Sequence, residues 1–236
     1  MSKDIETIIF DRLKLDILQG KYGPNHRLPS ENQLADAYRV PRIMIRKAFE
    51  KLEEMGYLYS KQGKGRFLKS RHQQLELLLS GKESFSQKML EKGYDVESIN
   101  IFCKKIDYEE SIFQELGVGE KDRVFKIGRL RIVEKRPIAV HISYVAKSIF
   151  LDIEERGKEI VSMFEYYKSK GYKSFDSGKS VLSVSLPSLE EQTLLDCPPL
   201  IPLLVLETNC IDCISQRVLE YTQIIYRGDS FKYIVK

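Results

Sequence analysis

The sequence predicts an α+β chain in two parts. Three features carry this reading. Apolar residues recur at helical spacing through about the first 55 positions, a glycine-rich basic hairpin follows, and later segments mix alternating strand patterns with short helices.

Ile5, Ile8, Ile9, Leu13 and Ile17 form one helical stripe, and Gly20 stops it. A polar loop, Lys21 to Arg27, leads to Leu28-Pro29-Ser30 and then Glu31-Asn32-Gln33-Leu34-Ala35. Ser30 and Gln33 make a capping box, in which the hydroxyl accepts from a helix N–H and the amide reaches back. This second helix ends near Tyr38. Pro41 opens a third, because a proline in the first turn forfeits no helical hydrogen bond. It runs to about Met55, with Gly56 as its stop. Ile45, Ala48, Phe49 and Leu52 make its apolar stripe, while Arg42 and Arg46, four apart, share another face. Tyr57-Leu58-Tyr59 and Arg66-Phe67-Leu68 are short strands around Gln62-Gly63-Lys64-Gly65.

Lys69 to Gln74 is polar and basic, the composition of a linker. Beyond it, strands are expected at Ser98–Ile106, Val124–Val133, Ile138–Val145, Leu203–Ile211, Val218–Ile225 and Phe231–Val235. Helices are expected at Glu109–Leu116, ending on Gly117, and at Ile160–Lys170.

Composition narrows the function. The chain of 236 residues is 42% hydrophobic and 31% charged, a globular profile. No run approaches the roughly 18 apolar residues of a membrane span. Met1 to Glu6 lacks the apolar core of a signal peptide, so a cytoplasmic protein without membrane contact is expected. Cys103, Cys197, Cys210 and Cys213 are then reduced thiols. Cys210 and Cys213 form a C-x-x-C without two further ligands nearby, which favours packing over a metal site. Positive charge is concentrated at one end: residues 1–72 carry 15 Lys and Arg against 9 Asp and Glu. A basic end on an otherwise slightly acidic chain suggests a polyanionic partner.

The order of elements suggests a helix-turn-helix followed by a wing. The third helix would enter a major groove, where Arg42 and Arg46 can pair with guanine or hold phosphate. The hairpin carries Lys61, Lys64, Arg66, Lys69 and Arg71 and no acid, which suits a minor groove or a phosphate row.

These residues resemble the GntR family of bacterial regulators. The resemblance runs through Arg27-Leu28-Pro29-Ser30-Glu31, Gln33-Leu34-Ala35, Val40-Pro41-Arg42, Ile45-Arg46-Lys47-Ala48, Gly56-Tyr57-Leu58 and Gln62-Gly63-Lys64-Gly65-Arg66-Phe67. It implies DNA contact from Arg42, Arg46 and Lys47 on the third helix and from Gly63, Lys64 and Gly65 on the wing, with Arg27 and Glu31 flanking the second helix. Where the family usually has Ser-Arg-x-Thr-Val-Arg, this chain has Pro41-Arg42-Ile43-Met44-Ile45-Arg46. Ile43 and Met44 can meet thymine methyls or pack against the first helix.

The second part is similar to the UTRA domain of the HutC branch of that family. Phe85-Ser86, Gly93-Tyr94, Leu116-Gly117-Val118, Arg129-Leu130-Arg131, Ser143-Tyr144-Val145, Leu219-Glu220-Tyr221 and Tyr226-Arg227-Gly228-Asp229 carry the resemblance, in family order. It implies a winged helix-turn-helix over 1–69, a linker over 70–80, and a mixed α/β, chorismate-lyase-like domain over 81–236. That domain forms homodimers and binds a small effector. Arg129 and Arg131, two apart on a strand, point to one face and make an anion site. A three-residue hairpin turn would set Arg129 opposite His141. By resemblance, Ser86 and Ser162 assist with a phosphorylated sugar, and Glu220 and Tyr226 hold its hydroxyls. His141 stands where many relatives have a glutamate; its protonated form would add to the anion site.

The combined reading is an effector-responsive regulator, a repressor in its simplest form, acting as a homodimer on an inverted-repeat operator in double-stranded DNA. No cofactor, catalytic residue or metal site is expected, since no activated nucleophile, carboxylate pair or ligand set is visible. Two alternatives stay open: an enzyme of chorismate-lyase-like fold with a DNA-binding head, and an architectural DNA binder without effector response.

Overall fold

In the computed structural model, residues 2–69, 75–78 and 85–234 are described. Arg71, the rest of the expected linker at 70–74 and 79–80, and Val235 lie outside them. The chain divides into two compact units: Met1–Gln73 with Leu186–Gln192 and Cys197–Ile201, and Gln74–Ser185 with Thr193–Asp196 and Pro202–Lys236.

The first unit contains α1 (Ser2–Leu18), α2 (Glu31–Tyr38), α3 (Arg42–Glu54), β1 (Leu58–Lys61) and β2 (Gly65–Leu68). The capping box is present: Ser30 Oγ accepts from Gln33 N at 3.3 Å, and Gln33 Oε1 accepts from Ser30 N at 2.8 Å. Arg39, left-handed at φ 54°, ends α2, and its neighbour Val40 donates to Ala35 O at 3.0 Å. Pro41 sits one position earlier than expected. It caps α3 with an extended ψ of 138° and is not its first helical residue.

Ile45, Ala48, Phe49 and Leu52 are buried together with Leu13 and Leu34. Burying each large aliphatic contributes about 1.5–3 kcal/mol. The stripe expected on α1 is only partly inward. Ile9, Leu13 and Ile17 are buried, whereas Ile5 and Ile8 are exposed and Phe10 packs inside instead. Met44 packs against this core, whereas Ile43 is exposed.

The wing is an antiparallel hairpin with Tyr59 opposite Phe67. Arg27 bridges to Phe67, and Leu28 N donates to Arg66 O at 2.9 Å. The loop before α2 thus adds a third short edge to the hairpin, which local patterning did not reveal.

Beyond residue 74 the elements are β3 (Leu75–Leu78), α4 (Phe85–Glu91), β4 (Val96–Lys105), α5 (Glu110–Leu116), β5 (Val124–Val133), β6 (Arg136–Ala146), α6 (Ile153–Arg156), α7 (Met163–Ser169), β7 (Phe175–Ser177), β8 (Val181–Ser185), α8 (Leu189–Leu195), β9 (Leu203–Asp212), β10 (Val218–Arg227) and β11 (Phe231–Ile234). An antiparallel sheet of seven strands runs β4-β5-β6-β10-β9-β7, with β8 also on β9. β3 and β11 form a separate parallel pair, Leu75 against Phe231.

The six expected strands and two expected helices are present, β5 with the expected ends and the others with shifted ends; the second helix is shorter and starts only at Met163. β3 lies within the expected linker. Its four residues gain structure from β11, a partner far along the chain, and no short-range pattern reports that. α4, α6, β7, β8 and α8 were also not foreseen. β8 is exposed at every position, so no alternation marks it. Cys210 is buried on β9, while Cys213 lies exposed in the turn after it, and both are free thiols.

One hairpin sets the register of the sheet. Glu134 and Lys135 both have positive φ, 51° and 62°, and connect β5 to β6 as a two-residue turn. The expected loop was one residue longer. A register shift between Arg131 and Ile132 supplies that extra residue, so Arg129 still lies opposite His141. A non-glycine residue in the left-handed region carries a backbone cost of roughly 1–2 kcal/mol, and such turns favour glycine second. Lys135→Gly should therefore raise thermal stability by about 1 kcal/mol without changing effector affinity. Unchanged or lowered stability in a denaturation series would show that the turn is held by more than its own backbone preference.

Candidate functional site

The basic surface of the first unit is organised by one acid. Glu31, first residue of α2, accepts from Arg42 Nε at 2.7 Å and from Arg66 Nη1 at 2.5 Å. Burial acts to raise its pKa, but the two guanidiniums outweigh this and hold the carboxyl below its ordinary value. A cleft of about 210 Å³ is lined by Arg27, Pro29, Ser30, Glu31, Arg42 and Arg66, among others. Arg42 keeps 65% of its side chain exposed, so Glu31 aims it without enclosing it.

Arg66 differs from expectation. It turns inward, with its guanidinium 5.0 Å over the Phe49 ring and its Nε 3.3 Å from Glu53. It therefore joins the wing to α3 and does not extend the outer basic tip. Arg46 is exposed and bonds Glu50 one turn on, at 2.9 Å. Lys47 is drawn toward α1 by Glu6 at 2.8 Å. Gly63 and Gly65 have φ of 69° and 95°, and a Cβ on Gly65 would come within 3.2 Å of Arg27 Nε. Lys64 is exposed between them. The described surface thus gathers Arg27, Arg42, Arg46 and Lys64 around the start of α2, the outer face of α3 and the wing tip.

The second unit places a polar cluster on one face of its sheet. Arg129 and Arg131 on β5 face the same way; opposite them on β4 are Asn100 and Ser98, and on β6 His141 and Ala139. Ile224 and Tyr226 of β10 complete the rows. Arg129, Arg131 and His141 are exposed by only 3%, 4% and 6%.

The two arginines have different partners. Arg129 donates to Ser143 Oγ, which donates to Glu220 Oε1; Tyr167 donates to Glu220 Oε2 at 2.7 Å. Arg129 Nη2 is 3.8 Å from Glu220, so that carboxylate balances its charge. Glu220 was expected at effector hydroxyls; instead both its oxygens accept from protein hydroxyls. Arg131 donates from Nη1 to Ser98 Oγ and to Val161 O at 3.0 Å, and no carboxylate among the described residues lies within ion-pair distance. Burial, and then the charge of Arg129, push its pKa down to about 9. Arg129 Nε, Arg131 Nε and His141 Nε2 are buried without a hydrogen-bond partner among the described residues.

His141 departs from expectation. Burial, then the charges of Arg131 and Arg129, hold its pKa well below the ordinary imidazole value. It is neutral here and adds no charge to the arginines. Its ring lies 5.4 Å from Phe85 and 5.9 Å from Tyr226, edge to face in both cases. Ser86 Oγ is 3.4 Å from Ser98 Oγ, within reach of the Arg131 cluster. Ser162 is spent on structure: its hydroxyl accepts from Glu165 N as the cap of α7. Ser98, Asn100, Ser143 and Tyr167 were not foreseen. They are ordinary residues that only strand register and the packing of α7 bring to the arginines.

A buried cation without a counter-charge costs several kcal/mol, and an apolar substitute of similar size is often more stable. Arg131→Met should raise the stability of the ligand-free protein by about 1–4 kcal/mol. A lower melting temperature would show that Arg131 serves the fold through Ser98 and Val161.

Comparison with known proteins agrees with both units. Residues 6–68 match the model for bacterial regulatory proteins of the gntR family, and residues 91–232 match the UTRA domain. The chain is 26% identical over 227 residues to the HTH-type transcriptional repressor NagR of Bacillus subtilis (strain 168), covering 96% of this chain and 91% of that protein. It is 24% identical over 225 residues to the mannosyl-D-glycerate transport/metabolism system repressor MngR of Escherichia coli (strain K12), covering 95% and 92%. The crystal structure of PhnF from Mycobacterium smegmatis shares the fold, with a TM-score of 0.62 at 18% identity over 94% of this chain and 96% of that one. No helix among the described residues is long and apolar enough to cross a membrane. A winged helix-turn-helix head joined to a UTRA domain is the HutC-type architecture, and this chain belongs to the GntR family of transcription regulators, not to an enzyme family.

Proposed function

We propose that the protein is a cytoplasmic, homodimeric repressor that binds an inverted-repeat operator and responds to an anionic metabolite. Residues 1–69 read DNA, and residues 81–236, joined by β3 through its pairing with β11, bind effector and dimerise. Arg42 and Arg46 contact base edges or phosphates, Glu31 aims Arg42, and Lys47 stays close to the backbone. Arg27, Gly63, Lys64 and Gly65 form the wing contact, where the glycines let the backbone approach phosphate.

The observation that carries the effector reading is Arg131, a buried guanidinium with no carboxylate partner among the described residues. An anion supplies the missing charge. Two guanidiniums on one face suit a phosphate or carboxylate. The relative MngR is named for a mannosyl-D-glycerate system, and glycerate is a carboxylate attached to a sugar. We assign Arg129, Arg131, His141, Ser86 and Tyr226 to the pocket, with Ser162 at its margin and Glu220 holding Arg129 in place. An anion that binds one arrangement of the dimer more tightly shifts the population of DNA-competent heads by that difference in affinity.

Two experiments test this reading. Arg46→Ala should lower operator affinity by roughly 1–3 kcal/mol and relax preference at one base position, whereas Lys64→Ala should weaken all duplexes alike and flatten the salt dependence. Equal loss on operator and scrambled DNA in Arg46→Ala would remove it from base recognition. Calorimetric titration with sugar phosphates and their parent sugars tests the pocket. Each charge-assisted contact contributes about 1.5–3 kcal/mol, so Arg131→Ala should weaken the effector at least about tenfold while operator binding without effector persists. A neutral sugar that binds as tightly as its phosphate would place the pocket elsewhere.

A further inference from the structure

Three buried nitrogens without a hydrogen-bond partner among the described residues share one patch of the sheet: Arg129 Nε, Arg131 Nε and His141 Nε2. Register sets their common orientation, because His141 lies opposite Arg129 and Arg131 is two residues along the same strand. The charged and titratable groups packed around His141 can be named element by element. β5 supplies Arg129 and Arg131. β10 supplies Tyr226, whose phenol burial keeps neutral, and Glu220, which is engaged by Ser143 and Tyr167. α7 supplies Tyr167, also neutral through burial. α4 presents the uncharged ring of Phe85 to the imidazole, and β4 lies one strand further away, with Ser98 opposite Arg131 and Asn100 opposite Arg129.

The balance of these charges is one-sided. Among the described residues, two guanidiniums are opposed by one carboxylate, and burial together with the two guanidiniums keeps the imidazole neutral. A monoanion would cancel the surplus and leave burial alone to hold His141 neutral. A dianion would reverse it. The net charge around His141 would become negative, and a solvent proton would then be stabilised on the ring. A neutral imidazole has one N–H, whereas a protonated one donates from both nitrogens. Nε2, now without a partner, would become a third donor to the anion beside the two guanidiniums.

We propose that the UTRA pocket of this protein takes a dianionic group together with one proton, and that His141 is the residue that receives it. The inference rests on the anion-site reading above and adds its charge state and regulation. A regulator built this way senses its effector more strongly as pH falls. Above the pKa of His141 in the free protein and below that in the complex, affinity drops about tenfold for each unit rise in pH, because one proton is bound with each ligand.

Inorganic sulfate is the decisive probe, since it stays a dianion throughout the range and cannot itself take up the proton. Calorimetric titration of the full chain with sulfate, in two buffers of different ionisation enthalpy, should show close to one proton taken up per sulfate at about pH 7. Affinity should fall as pH rises from about 6 to about 8. His141→Gln should still bind sulfate, but without proton uptake and with a flat pH profile. The wild-type proton count needs no variant, so a poorly folded mutant does not spoil the test. Sulfate binding with no proton uptake and no pH dependence overturns the proposal while leaving the anion site standing. Failure of both sulfate and inorganic phosphate to bind, or equal binding by wild type and Arg131→Ala, overturns the anion site and this inference with it.

Discussion

The effector domain depends on the register between β5 and β6. Side chains alternate across a strand, so a slip of one residue would carry Arg129, Arg131 and His141 to opposite faces of the sheet. A two-residue turn at Glu134 and Lys135 and the register shift after Arg131 together fix that pairing. From it follow Ser98 beside Arg131, Ser143 and Glu220 beside Arg129, and His141 across from Arg129. The neighbouring ring contacts, Phe85 and Tyr226 against His141, close the same patch with apolar edges.

Arg129 and Arg131 show how alike residues acquire different work. Both are long cations on one strand face, and both are buried. Arg129 reaches a carboxylate through a hydroxyl and is balanced inside the fold. Among the described residues Arg131 reaches a hydroxyl and a carbonyl, neutral acceptors that satisfy hydrogens without cancelling charge. Buried unbalanced charge is destabilising in itself. Its presence in a buried cluster fits a site that trades stability for ligand recognition.

The DNA-binding head follows a related logic on its surface. Glu31 lies between Arg42 and Arg66 and separates their tasks: one guanidinium stays exposed, the other is pulled back over Phe49. An acid within a DNA-binding surface costs long-range attraction. Here it contributes position, because a guanidinium held at 2.7 Å would lose less freedom on meeting a phosphate or base, as proposed for Arg42. The capping box at Ser30 fixes where α2 starts, and so where Glu31 sits.

Much of this was legible in the residues themselves. The capping box, the glycines of the wing, the apolar stripe of α3 and the strand alternation of β5 are local signals, each spanning a few positions. The paired arginines were visible because two residues on a strand share a face. What required the tertiary structure is everything decided by groups far apart in the chain. β3 exists through β11. Arg66 faces inward through Glu31, 35 residues away. Glu220 is tied to Arg129 because Ser143 and Tyr167, far away in the chain, each donate to one of its oxygens. His141 is neutral because burial and two guanidiniums act on it together. Propensity and periodicity act over a few residues, whereas charge, burial and register act through space, and only the folded chain determines which groups are neighbours.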